Sequence, residues 1–255
     1  MSGRALSFGT IAEAYERFRP GYPAELFDVV MAYAGQPVST ALEIGAGTGK
    51  ATRVLARRGV SVTATDPDAA MLAELRKHVP PGVRTARAAF EELRPDGRFG
   101  LVYAAAALHW TDPAGRWSRV AGLLEPGGVF ASFGRPVGLA DPAVEEAVRA
   151  ARAPFLESDG VPSPDGTPQG HDMQWPGTEL QRSEWFDGVQ QSVLESRLTM
   201  SADDFVGYLS TVSAYIVLPQ PQRAQVFRRI LRVLPGTVEL SADIVVHLAR
   251  RRTEV

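Results

Sequence analysis

Three glycines at alternate positions, Gly45, Gly47 and Gly49, followed at a distance by a single acid, Asp66, are the residues whose types and spacing point most directly to chemistry. A short apolar run, Ala41-Leu42-Glu43-Ile44, precedes them. A helical stretch from Lys50 to Arg58 follows, with Val54 and Leu55 placed to face a sheet, and Gly59 stops it. The β-branched run Val60 to Thr65 then leads to Asp66. Strand, glycine turn, helix, strand and acid make one βαβ unit. The glycines let the backbone turn sharply and approach a ligand with no Cβ in the way. The helix behind them offers unpaired N–H groups and the positive end of its dipole. Asp66, at the tip of the second strand, is placed to accept hydrogen bonds from a ribose diol. The stretch therefore describes a site for a nucleoside-containing ligand, with an ordinary βα turn as the plainer alternative.

The dinucleotide fingerprint G-x-G-x-x-G would put its third glycine at position 50, which is Lys50; the glycine comes one residue early. A nicotinamide-dependent oxidoreductase is thereby disfavoured. The four histidines, His78, His109, His171 and His247, are scattered without metal-ligand spacing, and there is no cysteine, so thiolate ligands, disulfides and cysteine nucleophiles are excluded. No metal site is expected. His109 stands after an apolar strand, and its ordinary pKa suits proton removal near neutrality. It is read as a candidate base or substrate-orienting group, beside the plainer role of a satisfied structural histidine.

Composition sets the frame for these residues. At 255 residues the chain is long enough for one large α/β domain or a domain with a cap. Apolar content of 45% and charged content of 22% are ordinary for a globular protein. A net charge of −2 leaves no electrostatic footprint for nucleic acid. No apolar run approaches a membrane span, and no charged-then-apolar segment opens the chain, so a cytoplasmic protein is expected.

The elements that must position the site read in order. Residues 24 to 34 have helical spacing through Leu26, Val29, Val30 and Tyr33. After Asp66, Pro67 is a natural first helical residue, and the helix reaches His78. Val83 to Ala88 read as a third strand, Arg98 to Tyr103 as a fourth, and Val129 to Phe133 as a fifth. Pro113 is expected to start the helix between the last two. Residues 158 to 178, with four prolines and four glycines, read as a long loop, taken as a mobile substrate cover. Residues 189 to 199 alternate as a sixth strand, Ser201 caps a helix, Gln220 to Leu234 form another, and Val238 to Arg250 close the sheet.

The glycine stretch resembles motif I of the class I S-adenosylmethionine-dependent methyltransferases, (D/E)-x-G-x-G-x-G, as Glu43-Ile44-Gly45-Ala46-Gly47-Thr48-Gly49. The N-terminal segment resembles the A-x-x-Y-x-x-x-R-P-x-Y-P signature of small-molecule, type 11-like members, through Ala12, Tyr15, Arg19, Pro20, Tyr22 and Pro23. His109-Trp110 resembles an (S/A)-x-x-x-H-W segment, and Leu124-x-Pro126-Gly127-Gly128 a further turn of the same family. The match covers residues 12 to 134.

The resemblance implies a doubly wound, seven-stranded, mostly parallel sheet with a helical and loop cap and a final antiparallel hairpin. It implies one domain over 1–255, with its core at about 36–134 and 189–255 and its cap at about 1–35 and 135–188. It implies S-adenosylmethionine as cofactor and S-adenosylhomocysteine as product. Tyr15 and Arg19 would close over the methionyl end, Arg19 suiting its carboxylate. Glu43, Gly45, Ala46, Gly47 and Gly49 would hold the turn, Asp66 the ribose, and Pro67, Met71, Phe90 and Glu91 the adenine. Ala105 stands where relatives often carry Gln. Tyr22, Trp110, Trp175, Ser213 and Tyr215 are the candidate acceptor contacts, and the aromatic ones favour an aromatic or apolar small molecule. The expected reaction is methyl transfer to a small-molecule acceptor, in a monomer or homodimer. Cyclisation or elimination with the same cofactor, or a non-catalytic binding module, are the alternatives.

Overall fold

A computed structural model describes residues 8–253, apart from positions 161 and 169. The first seven residues assigned to the cap lie outside the described residues. A 3-10 turn, Phe8–Ile11, leads into α1 (Ala12–Phe18) and then α2 (Ala24–Ala34). The sheet begins with β1 (Thr40–Ile44), α3 (Thr52–Ala56), β2 (Ser61–Asp66), α4 (Ala69–His78) and β3 (Arg84–Arg87). It continues with β4 (Phe99–Ala105), α5 (Arg116–Leu123) and β5 (Leu124–Gly134). The rest comprises β6 (Gly138–Leu139), α6 (Pro142–Arg152), α7 (Gly177–Arg182), β7 (Phe186–Leu194), β8 (Arg197–Ser201) and α8 (Ala202–Leu209). It ends with α9 (Ser213–Ile216), α10 (Gln220–Val233), β9 (Thr237–Ser241) and β10 (Ile244–Arg251).

Seven strands form the main sheet in the order β3-β2-β1-β4-β5-β10-β7. The first five in the chain are parallel, and β10 runs antiparallel to both β5 and β7. This is the doubly wound sheet expected. Both faces are covered, which is why β1, β4 and β5 read as nearly continuous apolar runs. On one face α2 and α3 pack Leu26, Phe27, Val30 and Leu55 against Ala41, Tyr103 and Phe133. On the other, α5 and α7 bring Val120, Leu123 and Leu180 to Leu42, Ile44 and Phe130. Chain direction along the sheet reverses between β1 and β4, and ligands of such sheets bind beyond the strand ends at that point. The register sets Ile44 beside Thr65 on one side and Ala104 on the other, so the glycine turn, Asp66 and the end of β4 emerge together.

Three boundaries differ from the sequence reading. Asp68, rather than Pro67, opens α4: its Oδ1 accepts from the N–H groups of Ala70 and Met71. α5 starts at Arg116, because Gly115 in a left-handed conformation (φ 68°) interrupts the turn begun at Pro113. The largest difference concerns the C-terminal third. The expected core segment 189–255 does not run continuously through the main sheet. Between β7 and β10 the chain leaves it, and β8 and β9 pair with β6 in a separate three-stranded sheet. That small sheet and helices α6, α8, α9 and α10 enclose a second core built on Val148, Phe205, Tyr208, Tyr215, Ile230 and Leu240. The departure is fixed at Ser196, whose N–H donates to Asp243 Oδ1 at 2.8 Å, and the chain returns there. Among the described residues no helix is long and apolar enough to cross a membrane.

Candidate functional site

The turn after β1 is shaped by three left-handed glycines: φ is 65° at Gly45, 54° at Gly47 and 82° at Gly49. They are not equivalent. A Cβ on Gly45 would stand 2.5 Å from Ala107 Cβ, so this glycine lets the end of β4 cross the turn. A Cβ on Gly49 would meet Leu75 Cγ at 2.8 Å, so its job is close packing on α4. A Cβ on Gly47 would meet nothing within 4 Å; it would project into open space above the turn. Gly47 N–H donates to Asp66 Oδ2 at 2.9 Å, and Asp68 N–H donates to Asp66 Oδ1 at 2.8 Å. Burial pushes the Asp66 carboxyl up, and these two amides pull it back. Each oxygen keeps a lone pair for a further donor.

Above this edge lies a cavity of about 500 Å³. Its lining includes Gly45, Gly47, Asp66, Pro67, Met71, Phe90, Glu91, Ala105, His109 and Trp110. Tyr15, Arg19 and Ser213 face it from the cap. Thirteen of the predicted site residues thus converge on one space. Glu43, Ala46 and Tyr22 line a small recess beneath it, next to Tyr15, Arg19 and Gly47. The backbone at the mouth of β4 is strained: Ala106 has φ 53°, rare for a residue with a side chain.

Three of the predicted residues lie elsewhere. Gly49 is a packing position, as above. Trp175 sits outside the cavity, with the Arg116 guanidinium 5.3 Å from its ring, among the side chains under the opposite sheet face. Tyr215 is fully buried in the cap core, its ring 5.4 Å from Phe227. Its hydroxyl donates to Asp159 Oδ2 at 3.0 Å, so it acts on the cavity only through that wall residue. Among the described residues of the 158–178 loop, Asp159 and Gly160 line the cavity. Asp165 accepts hydrogen bonds from Ser163, Thr167 and Thr178.

Glu43 is a supporting group rather than a wall of the main space. It is 1% exposed, and its Oε2 accepts from Thr52 Oγ1 at 2.5 Å and Tyr103 hydroxyl at 2.7 Å. Burial outweighs these bonds and raises its pKa to about 7. His109 lies on a 3-10 turn, Leu108–Trp110, and takes no hydrogen bond from the described residues. Burial, helped by the nearby positive charge of Arg116, lowers its pKa to about 4, so it is neutral near pH 7. The turn is held from below. Arg116, 2% exposed, donates to Thr111 Oγ1 at 2.8 Å and Thr111 O at 2.9 Å, and pairs with Glu179 at 3.1 Å.

Several contributors had no signal in the sequence. Phe8 joins Tyr15 and Trp110 edge-on, with centroids 6.0 and 6.1 Å apart, as an aromatic roof. The predicted Arg19 is held by partners the sequence did not signal: it stacks on Tyr208 as well as Tyr15, and donates through Nε to Thr211 Oγ1 at 2.8 Å and through Nη2 to Thr211 O at 2.9 Å. Glu16 ties α1 down: it accepts from Thr48 Oγ1 at 2.7 Å and Arg53 Nη2 at 2.8 Å, and Lys50 Nζ donates to its carbonyl at 2.7 Å. Arg135, Val137, Tyr208 and Val212 complete the wall.

The family profile described as a methyltransferase domain matches residues 42–132. An uncharacterised methyltransferase of Mycobacterium tuberculosis is 44% identical over 124 residues, 49% of this chain and 50% of that one. The trans-aconitate 2-methyltransferase of Deinococcus radiodurans is 33% identical over 122 residues, 47% of this chain and 46% of that one. The chain spans about half the length of the curated relatives it matches. Among solved structures, a candidate type II methyltransferase of Anaeromyxobacter dehalogenans superposes with a TM-score of 0.63 at 25% identity, over 91% of this chain and 98% of that one. The matched stretch holds the glycine turn, the acid and the end of β4; over it the chain is similar to methyltransferase domains, and the likeness of fold to the Anaeromyxobacter structure runs on through the cap.

Proposed function

We propose that this chain transfers a methyl group from S-adenosylmethionine to a small-molecule acceptor. The observation that carries the reading is the amide-held Asp66 carboxylate beside the open face of Gly47, on the floor of a covered cavity. That pair suits a nucleoside: Asp66 accepts from the ribose diol, and the absent Cβ of Gly47 leaves room for the cofactor's chain. Met71 and Phe90 offer apolar faces to adenine, and Glu91 an acceptor at its edge. Arg19, which has no carboxylate partner among the described residues, suits the carboxylate of the methionyl group. When bound, S-adenosylmethionine supplies an electrophilic methyl on a sulfonium.

The chain's own contribution is alignment and exclusion of water. Phe8, Tyr15 and Trp110 roof the space, and Val137, Leu209 and Val212 close its far side. His109, neutral and without a hydrogen bond from the described residues, accepts a proton or hydrogen bond from the acceptor. Its low proton affinity fits it better to orient a hydroxyl or amine than to store its proton. The small size of the space and the acceptor named for the Deinococcus relative both support a small molecule. Incubation of the purified chain with methyl-labelled S-adenosylmethionine and small-molecule acceptors tests the reading. Label in a product heavier by one methylene unit supports it, whereas cofactor breakdown with no methylated product contradicts it.

A further inference from the structure

We propose that Arg135 anchors a carboxylate on the acceptor, so that the substrate is an organic acid; this rests on the methyl-transfer reading above. Arg135 follows the last residue of β5, and Pro136 after it favours an extended backbone. The side chain lines both the cavity and the recess beneath it. Its Nε is buried with no hydrogen-bond partner. The Tyr22 ring lies against it, its centroid 5.8 Å from the guanidinium carbon.

The other charged groups around the cavity each have a polar partner within the protein. Asp66 holds two backbone amides. Glu91 accepts from Asp112 N–H at 2.7 Å. Asp159 pairs with Arg152 at 2.6 Å and accepts from Tyr215. Arg19 donates to Thr211, stacks on two aromatic rings and is assigned above to the cofactor's carboxylate. Arg135 alone, among the described residues of the wall, is a cation with no polar partner. Burial holds its pKa below the usual arginine value, the mark of a charge short of compensation. A planar five-donor fork facing a cavity is matched by a carboxylate. Pro136 and Val137, next in the chain, line the cavity with Asp159 and Gly160, and the recess runs along the glycine turn; with Arg19 assigned to the cofactor's carboxylate, the Arg135 fork is left for a carboxylate of the acceptor.

The test is calorimetric titration of the chain loaded with S-adenosylhomocysteine, using trans-aconitate and 4-hydroxybenzoate as acid probes and 4-hydroxybenzamide as the neutral match. At least one acid is expected to bind, with the benzoate, if bound, at least about tenfold tighter than its amide. Arg135→Gln is expected to weaken the acid by about 10- to 100-fold, the loss of a charge-assisted pair. Arg135→Lys should restore part of it, and both variants should keep S-adenosylhomocysteine affinity within about twofold of the original. Binding of neither acid, equal binding of acid and amide, or a loss of S-adenosylhomocysteine affinity in Arg135→Gln with acid binding intact would each overturn the proposal. Failure of the unaltered chain to bind S-adenosylhomocysteine is a separate result: it removes the cofactor reading, and this proposal with it.

Discussion

The backbone N–H of Gly47 donates to Asp66 Oδ2 at 2.9 Å, joining the turn after β1 directly to the tip of β2. One carboxylate thus does two things: it fixes the turn's shape and presents its remaining lone pairs to the cavity. Asp66→Asn should therefore weaken S-adenosylhomocysteine by about 10- to 100-fold, the range for hydrogen bonds to a charged group. Asp66→Ala should do so more severely, since it also leaves the Gly47 amide unpaired. Calorimetry reads the affinity, and a thermal melt distinguishes this from unfolding.

Gly47 and Gly49 should part company on substitution. Gly49→Ala drives a methyl into Leu75 and should destabilise the fold by about 1–3 kcal/mol, read as a lower melting temperature. Gly47→Ala meets no protein atom and costs only the left-handed strain, about 1–2 kcal/mol, yet its methyl enters the ligand's space. Its loss of S-adenosylhomocysteine affinity should exceed that of Gly49→Ala by at least about tenfold.

The contrast between these glycines also marks what the sequence could and could not tell. The βαβ unit was legible because its signals are local: alternate glycines, a β-branched run, one acid at its end. The split of the last two main-sheet strands was not. From Phe186 to Ser201 the alternation is nearly continuous, and the break is set by Asp243, far along the chain, reaching Ser196. Trp175 and Tyr215 looked like acceptor contacts because they are aromatic and lie in or beside irregular segments, but large rings fill cores as readily as pockets. Arg135 carried no periodic cue; only the fold shows that its Nε is buried without a hydrogen-bond partner among the described residues. Phe8 and Arg116 were missed for the same reason, each acting through partners distant in sequence.

The pH dependence of stability has a testable sign. The folded chain keeps His109 and His247 neutral down to about 4, whereas the unfolded chain protonates them near 6.5. Unfolding then takes up protons, and these two groups lower stability as pH falls from 6.5 to 4. Glu43 acts oppositely: its folded pKa of about 7 lies above the ordinary 4.5, so its contribution is full below 4.5 and is lost as pH rises to 7. Glu43→Gln should therefore lose melting temperature more steeply than the original chain on acidification from pH 6.5 to 5. A parallel pair of curves would contradict the raised Glu43 pKa.

Activity should follow His109 differently. With a pKa of about 4, it stays neutral across the range where an ordinary histidine titrates. No limb of the rate profile near pH 6.5 should belong to it. His109→Ala should lower kcat by about tenfold, short of the 10²- to 10⁴-fold expected for a general base. A larger loss, with an acid limb that vanishes in the variant, would make His109 the base.

Glu16 is the latch of the N-terminal helix. Burial alone would raise its pKa, but hydrogen bonds from Thr48 and Arg53 and the charge of Lys50 bring it below the usual value. Glu16→Gln should leave the sheet intact and speed S-adenosylhomocysteine release several-fold, by about 0.5–1.5 kcal/mol of lost helix anchoring. Stopped-flow displacement reads the rate; an unchanged rate would mean that α1 does not gate the site.

The central claim is that the glycine turn and Asp66 bind S-adenosylmethionine. Calorimetric titration of the purified chain with S-adenosylhomocysteine and, separately, with NAD tests it most directly. The account predicts one S-adenosylhomocysteine per chain, no NAD, and loss of the signal in Asp66→Ala. Binding of NAD with no affinity for S-adenosylhomocysteine would contradict it.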